Sequence, residues 1–167
     1  MTSLSKILTF RNVIMTNRRS FLTALGAATL FPVVAQAKLG VLGAEDALQN
    51  LDDGSLILID IRTPQEWHET GVAKGAWPLD MTQRDFGPKF LAVLERNPGR
   101  QVAIICRTGN RSGYLMDVLA KNGITHVLDV AEGMAGGPNG KGWIPLGLPV
   151  VTGEAAMKSL PADLVAT

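Results

Sequence analysis

Apolar positions along this chain fall into short continuous runs separated by turn-forming residues, with segments of helical periodicity between them. The runs at 56–59 and 102–105 are bounded by turn signals, which is typical of strands buried on both faces of a parallel sheet. Shorter strands are predicted at 39–42, 76–79 and 126–130, and helices at 43–51, 64–68, 86–96 and 112–122. Strands that alternate with helices predict one α/β domain with a mostly parallel sheet.

The first 37 residues differ from the rest, because they contain four basic residues and no acidic residue. The pair Arg18-Arg19 precedes an apolar run at 21–34, and the small residues at 35–37 follow it. A charged region, an apolar region and a small-x-small site together predict a signal peptide over 1–37. Paired arginines are typical of twin-arginine signals, which export folded protein. Met15 is a second candidate for the true start, since the segment from there to Arg19 supplies a sufficient charged region.

Export would change the net charge of the mature protein and would place its cysteine in an oxidising compartment. The chain has 16 basic and 15 acidic residues, so removal of four basic ones leaves 12 against 15, a net charge of about −3. With no basic patch, nucleic acid is not an expected partner. We expect a periplasmic protein with no stable membrane anchor after cleavage, since the apolar run is too short for a comfortable membrane span. A lone cysteine there cannot form an internal disulfide, so its retention suggests a function.

That cysteine, Cys106, stands where the run at 102–105 ends and a helical pattern begins. A buried strand would deliver it to the edge of the sheet, and Ser112 is predicted to be the N-cap of the helix at 112–122. Taken alone, a buried cysteine is most simply a small hydrophobic residue at a strand end. The residues around Cys106 favour a functional role instead.

The segment after the cysteine combines several sources of positive potential. Gly109 lets the backbone turn tightly, so that successive amides can point inward as an anion nest. The helix N-terminus adds partial positive charge and unpaired N–H groups. Arg107 and Arg111 add two cations. All of these features favour a thiolate on Cys106, or an anion attached to its sulfur.

This segment resembles the active-site loop of rhodanese-like sulfurtransferases. The loop residues that carry the resemblance are Cys106, Arg107, Thr108, Gly109, Asn110, Arg111 and Ser112. Upstream, Asp60-Ile61-Arg62 followed by Glu66-Trp67 is similar to a second family signature, although the segment at 71–76 lacks the family's histidine and proline. The closing segment is similar too, but the glycine-rich residues 136–140 interrupt it.

The resemblance covers about residues 40–152 and implies a three-layer fold, with a mostly parallel sheet of about five strands and helices on both faces. Residues 38–152 would be the rhodanese-like domain, and residues 153–167 a C-terminal tail. Residues 133–142 are expected to form a mobile loop rather than a phosphate-binding loop, since they lack the preceding strand and the lysine-serine ending.

The resemblance also implies an enzyme without cofactor or metal, a thiosulfate sulfurtransferase-like protein. Cys106 would be the nucleophile that takes sulfane sulfur from a small anionic donor such as thiosulfate. A thiol, cyanide or a protein cysteine would then accept the sulfur. The loop residues 107–112 would stabilise the persulfide. Asp60 and Arg62 could act as acid and base, but a role in bracing the adjoining loops is favoured by the resemblance and by the usual behaviour of buried pairs.

Two other functions remain as alternatives. Cysteine-dependent phosphatases use His-Cys-x5-Arg, whereas Ile105 precedes Cys106 here and only four residues separate it from Arg111. The shorter loop suits a persulfide sulfur better than a phosphoryl group, and no general acid can be assigned. The second alternative is a non-catalytic rhodanese-like module that binds a partner and uses Cys106 as a redox sensor.

Overall fold

The structure, a computed structural model, describes residues 40–165. The predicted signal peptide at 1–37, with its Arg18-Arg19 pair and the second candidate start at Met15, lies outside the described residues. Within residues 40–165, no helix is long and apolar enough to cross a bilayer.

Short strands and helices alternate along the described part of the chain, as the hydrophobic pattern predicts. The strands are β1 (Leu56–Asp60), β2 (Val72–Ala73), β3 (Trp77–Pro78), β4 (Gln101–Ile105), β5 (Val127–Asp129) and β6 (Val150–Val151). The helices are α1 (Ala44–Asp52), α2 (Pro64–Thr70), α3 (Phe86–Arg96), α4 (Asn110–Lys121), α5 (Gly153–Lys158) and α6 (Ala162–Val165).

The main sheet has four strands in the order β3-β1-β4-β5, and every neighbouring pair is parallel. Strands β2 and β6 form a separate antiparallel pair. The prediction of a mostly parallel sheet is confirmed, with four strands among the described residues where about five were expected. Of the strand predicted at 39–42 the structure describes residues 40–42, and these form an isolated parallel bridge between Val41 and Asp129.

Both faces of the main sheet are covered, which explains the continuous apolar runs of its central strands. Side chains alternate along β4, so that Ile104 packs on one face and Ile105 on the other. The first face carries helices α3 and α4, and the second carries α1, α2 and α5. The prediction of helices on both faces is confirmed.

Residues 153–165 form two short helices that pack on the domain, where the sequence predicts only a tail over 153–167. Helices α5 and α6 and the turn between them place Ala156, Leu160 and Leu164 in the two cores, with at most 8% of each residue exposed. Each helix is too short to show a helical period in the sequence, which is why the hydrophobic pattern gives no sign of them.

Candidate functional site

Cys106 lies directly after β4, a central strand of the main sheet with β1 and β5 as its neighbours. In open α/β sheets the carboxyl ends of the strands are where ligands bind. Only 1% of the residue is exposed, and its side chain belongs to the core that faces α3 and α4. The sulfur therefore lies at the base of the loop that follows, and a reactant has to reach it through that loop.

Two backbone amides of the loop point at the sulfur. The N–H of Gly109 donates to Cys106 Sγ at 3.2 Å, and the N–H of Ser112 does so at 3.5 Å. The thiol donates in turn to Ser112 Oγ at 3.5 Å, and the Ser112 hydroxyl donates to the Gly109 carbonyl at 3.1 Å. The loop thus surrounds the sulfur with hydrogen-bond donors, which is the arrangement that stabilises an anion there.

Helix α4 begins earlier than the sequence predicts. Its first residue is Asn110, and Gly109 is the N-cap, in the left-handed conformation with φ 87°. Ser112 is therefore inside the first turn, and its prediction as the N-cap is wrong. The Gly109 carbonyl already accepts the first helical hydrogen bond, from Gly113 at 2.9 Å, so the turn starts at Gly109. As a result the Ser112 amide is one of the unpaired donors of the helix N-terminus and can face the sulfur.

The segment after β5 packs closely against the outer side of the loop. The amides of Met134 and Ala135 each donate at 2.8 Å, the first to the Cys106 carbonyl and the second to that of Arg107. A Cβ on Gly109 would lie 2.2 Å from the Ala131 carbonyl oxygen, a distance that real Cβ atoms do not adopt. Position 109 therefore requires glycine on two grounds, its positive φ and this approach.

The glycine-rich stretch expected to be a mobile loop is held by hydrogen bonds at both ends. One carboxylate oxygen of Glu132 accepts from the Ala44 amide and the other from the Gly142 amide, each at 3.1 Å. Gly137 and Gly140 pair with each other across a tight turn. The glycine content of this stretch suggests flexibility, but the composition does not reveal its hydrogen bonds to distant segments, such as that between Ala135 and Arg107.

Arg111 does not point freely at the sulfur, because Glu66 of helix α2 binds it at two points. The Nη1 and Nη2 atoms donate to the two carboxylate oxygens at 2.7 and 2.5 Å. Hydrogen bonds from Arg111 lower the pKa of Glu66 to about 2, and the Thr63 amide at the start of α2 adds to the shift. The same pair raises the pKa of Arg111, with a smaller contribution from Cys106. In the sequence Glu66 is recognised only as part of the upstream signature, and its contact with Arg111 is seen only in the structure.

The other loop residues lie farther from the sulfur. Arg107 and Asn110 are exposed, Thr108 is half-buried, and the Thr108 backbone packs against Gly137 of the glycine-rich stretch. Arg107 is thus placed to meet a ligand from solvent. Among residues 40–165 no cluster of three or more histidine, cysteine or acidic side chains could hold a metal ion.

Asp60 and Arg62 form a buried ion pair at the carboxyl end of β1, beside the loop. Arg62 Nη2 lies 2.7 Å from Asp60 Oδ2, and neither side chain is more than 2% exposed. The guanidinium also donates to Thr70 Oγ1 at 2.7 Å and to the Gly71 carbonyl at 2.6 Å. Burial raises the pKa of Asp60, and the hydrogen bonds from Arg62 oppose that shift. The contacts join the end of β1 to the end of α2, which is what a bracing pair would do.

One buried acid near the loop was not singled out from the sequence. Asp129, the last residue of β5, is 6% exposed, and within the described part of the chain its Oδ1 has no hydrogen-bond partner. Burial raises the pKa of Asp129, and a hydrogen bond from Ser112 partly offsets the rise. The signal that could have found it is an acidic residue inside an otherwise apolar strand, since such residues are seldom buried without a partner.

Comparison with known proteins agrees with this geometry. The model of the family described as the Rhodanese-like domain matches residues 43–137. Over 103 residues the chain is 24% identical to an uncharacterized protein of Rickettsia prowazekii (strain Madrid E), a match that covers 58% of this chain and 84% of that protein.

The solved structures that are similar to this chain include two that cover about 70% of it. Rv0390 from M. tuberculosis is 28% identical with a TM-score of 0.52, over 70% of this chain and 100% of that one. Thiosulfate sulfurtransferase from Pseudomonas aeruginosa is 23% identical with a TM-score of 0.50, over 68% of this chain and 20% of that one. At that identity the second likeness concerns the fold.

Proposed function

The chain belongs to the rhodanese-like domain family, and we propose that it is a sulfurtransferase that carries sulfane sulfur as a persulfide on Cys106. The Cys106 thiolate attacks the outer sulfur of a donor such as thiosulfate. The S–S bond of the donor breaks, and sulfite leaves with its electron pair. An acceptor, which is a thiol, cyanide or a protein cysteine, then removes the outer sulfur and restores the thiolate.

The observation that carries this proposal is the contact of two loop amides with one sulfur atom. The Gly109 and Ser112 amides donate to Cys106 Sγ at 3.2 and 3.5 Å, at the N-terminal end of a 12-residue helix. Such donors are fixed in place before the reaction, so they stabilise negative charge on the sulfur without reorganisation. Both the attacking thiolate and the persulfide anion carry that charge.

The depth of the sulfur favours a small terminal sulfur as the transferred group. Cys106 is 1% exposed, so only a narrow group can reach its Sγ past the loop. The outer sulfur of thiosulfate is a single atom on a small anion, and the exposed Arg107 could attract it. The same depth disfavours a redox sensor, because reactive sensor cysteines are solvent-accessible.

The contacts of Arg111 argue against a phosphatase. Cysteine-dependent phosphoryl transfer needs a guanidinium whose two nitrogens bind the phosphoryl oxygens. Here Nη1 and Nη2 of Arg111 are both bound by Glu66, at 2.7 and 2.5 Å. In a sulfurtransferase the same charge can act on the sulfur at longer range, without direct contact.

The direct test is turnover of thiosulfate and cyanide to sulfite and thiocyanate by the purified protein. The proposal predicts catalytic turnover that is abolished in Cys106→Ser. If the parent protein produces no thiocyanate and transfers no sulfur to thiol acceptors, the non-catalytic module becomes the better account.

We also propose that the protein acts in the periplasm. The support is the sequence of residues 1–37, with four basic residues, no acidic residue, an arginine pair and a small-x-small site after an apolar run. Export as a folded protein is compatible with this site. The cysteine loop is held by hydrogen bonds to the segment after β5, and these contacts exist only once the domain has folded. The partners would then be a small sulfur anion and an acceptor outside the cytoplasm.

A further inference from the structure

Glu66 and Arg111 meet beside the cysteine loop, at the carboxyl edge of the main sheet. Helix α2, which carries Glu66, follows β1, and the loop follows β4, the parallel neighbour of β1. Arg111 directly precedes Ser112, whose amide contacts Cys106 Sγ at 3.5 Å. The guanidinium therefore extends from a residue next to one that contacts the sulfur.

Both terminal nitrogens of the Arg111 guanidinium are used by the pair. Nη1 donates to Glu66 Oε2 at 2.7 Å and Nη2 donates to Oε1 at 2.5 Å, so the contact is bidentate. The Thr63 amide at 3.1 Å and the Thr63 hydroxyl at 3.2 Å hold Oε2 in place. A planar guanidinium binds carboxylates and phosphates through the same fork of two N–H groups. While Glu66 occupies that fork and neutralises its charge, an oxyanion at the loop cannot use it.

The stability of α2 is a weak reason for this contact. The Arg111 side chain is 32% exposed and that of Glu66 16%, and partly exposed ion pairs contribute little to folding. The far end of α2 is already joined to β1 by the buried Arg62, which donates to Thr70 Oγ1 and to the Gly71 carbonyl. Since solvent reaches the Arg111 guanidinium, an anion at the loop would reach it too in the absence of the carboxylate.

We propose that Glu66 is a positioning residue that sets the specificity of this site: it withholds Arg111 from oxyanions and leaves the loop selective for a lone sulfur atom. Among the described residues, the backbone donors on Cys106 Sγ are the amides of Gly109 and Ser112, at 3.2 and 3.5 Å. Two donors suit a single-atom ligand. A phosphoryl or sulfonate group presents three oxygens and needs more donors than these, which a free guanidinium would supply.

For sulfur transfer the pair sets the class of donor, and in this the inference rests on the proposed function. Thiosulfate carries its outer sulfur on an atom that bears three oxygens, whereas a thiol persulfide carries it on a carbon-bound sulfur. With either donor the Cys106 thiolate attacks the outer sulfur, and sulfite or the thiolate of the donor leaves with the electron pair. Because the paired Arg111 contacts neither leaving group, thiosulfate gains no advantage over a thiol persulfide.

The test is the binding of inorganic phosphate to the full chain, measured by isothermal titration calorimetry. Glu66→Gln keeps the shape of the side chain but removes its charge, and should bind phosphate about tenfold more tightly than the parent protein. Adding Arg111→Ala to that variant should abolish the gain. Glu66→Ala removes both carboxylate oxygens and should show the same gain, so the result does not depend on a single substitution.

Two control variants separate specificity from a structural role. Glu69→Gln removes the same charge from an exposed position of α2 and should bind phosphate like the parent protein. Thr63→Ala removes the capping hydroxyl but keeps Glu66 and Arg111, and it too should bind like the parent, although it weakens the start of α2. A role in bracing alone predicts no gain of phosphate affinity in any variant. That result, or a gain that persists without Arg111, overturns the inference.

Kinetics with two sulfur donors gives a second measurement. Glu66→Gln should raise the ratio of kcat/KM for thiosulfate to that for the persulfide of 2-mercaptoethanol by about fivefold, because only thiosulfate has oxygens for the freed guanidinium to bind. An unchanged ratio in an active protein contradicts the assignment of donor class. Phosphate binding needs no sulfur donor, so the two proposals fail separately. A chain that transfers no sulfur can still show the gain of phosphate affinity, and an active one can lack it.

Discussion

The guanidinium of Arg111 binds the carboxylate of Glu66 at two points, with Nη1 to Oε2 at 2.7 Å and Nη2 to Oε1 at 2.5 Å. The contact joins the helix that follows the cysteine loop to α2, 45 residues earlier in the chain. Glu66 also closes a capping box with Thr63 at the start of α2. One carboxylate therefore fixes both the start of α2 and the arginine that ends the loop.

Glu66→Gln should make the protein less stable, by an amount that depends on pH. The pKa of Glu66 is lowered to about 2 in the folded protein from 4.5, so its contribution is complete above pH 4.5 and is lost as the pH falls toward 2. Because the pair is partly exposed, we expect a loss of only about 1 kcal/mol at neutral pH. Urea unfolding at several pH values between 3 and 7 measures it. Glu69→Gln, exposed on the same helix, is the control and should show no such trend.

The two loop arginines should act on different kinetic constants. Arg111→Ala removes a charge that acts on Cys106 and should lower kcat for thiosulfate by about tenfold. Arg107 is exposed, so Arg107→Ala should mainly raise KM, by about threefold, with an effect that fades as salt increases. Steady-state kinetics at two ionic strengths separates these effects. Parent-like kinetics in both variants would show that the electrostatic account of the loop is wrong.

Gly109→Ala should disrupt the loop itself. A Cβ there would meet the Ala131 carbonyl oxygen at 2.2 Å on a residue with φ 87°, so the loop or the segment after β5 must move. We expect a loss of roughly 3 kcal/mol in unfolding free energy, with little sulfur transfer remaining. Gly113→Ala is the matched control, because its Cβ meets nothing within 4 Å inside the same helix. It should be neutral or stabilising by about 0.5 kcal/mol, and equal losses in both variants would refute the steric argument.

The central features of the fold and site could be predicted because they are local in sequence. Two buried strands, the helices between them and the loop at 106–112 each have a continuous signature in the chain. The N-cap of α4 was misplaced by three residues, at Ser112 instead of Gly109, since serine is a common N-cap and glycine a less frequent one. The run at 39–42 was predicted as a strand, and among its described residues Val41 forms an isolated bridge, because a short apolar run gives no sign of how far it pairs.

What could not be predicted depends on contacts between distant segments. Arg111 and Asp129 illustrate this, since the partner of the first is 45 residues away and the neighbours of the second are on β4 and α4. The sequence does not show whether a charged residue such as Arg111 is solvated or paired, or whether an acidic strand residue such as Asp129 is exposed or buried. The C-terminal helices are similar, because Leu160 and Leu164 are seen as core residues only after the sheet provides a surface for them.

Export should depend on the paired arginines. Replacing Arg18 and Arg19 with lysine keeps the positive charge but removes the pair that the twin-arginine route recognises, so uncleaved precursor should accumulate in the cytoplasm. Cell fractionation with immunoblotting measures this, and N-terminal sequencing of the exported parent protein should begin at Lys38. Unchanged periplasmic delivery of the double variant would contradict the twin-arginine assignment. A mature protein that retains residues 20–37 would contradict cleavage.

The central claim is that Cys106 carries sulfur covalently, and the mass of the intact protein tests it most directly. Reduced protein incubated with thiosulfate and then freed of donor should be heavier by one sulfur atom. Since Cys106 is the only cysteine in the chain, no internal thiol can resolve the persulfide, and the added mass should persist until an acceptor is supplied. Cyanide should restore the starting mass and release one equivalent of thiocyanate, and Cys106→Ser should show neither change. A folded parent protein that never gains the sulfur, while it hydrolyses a phosphate ester through Cys106, would contradict the account.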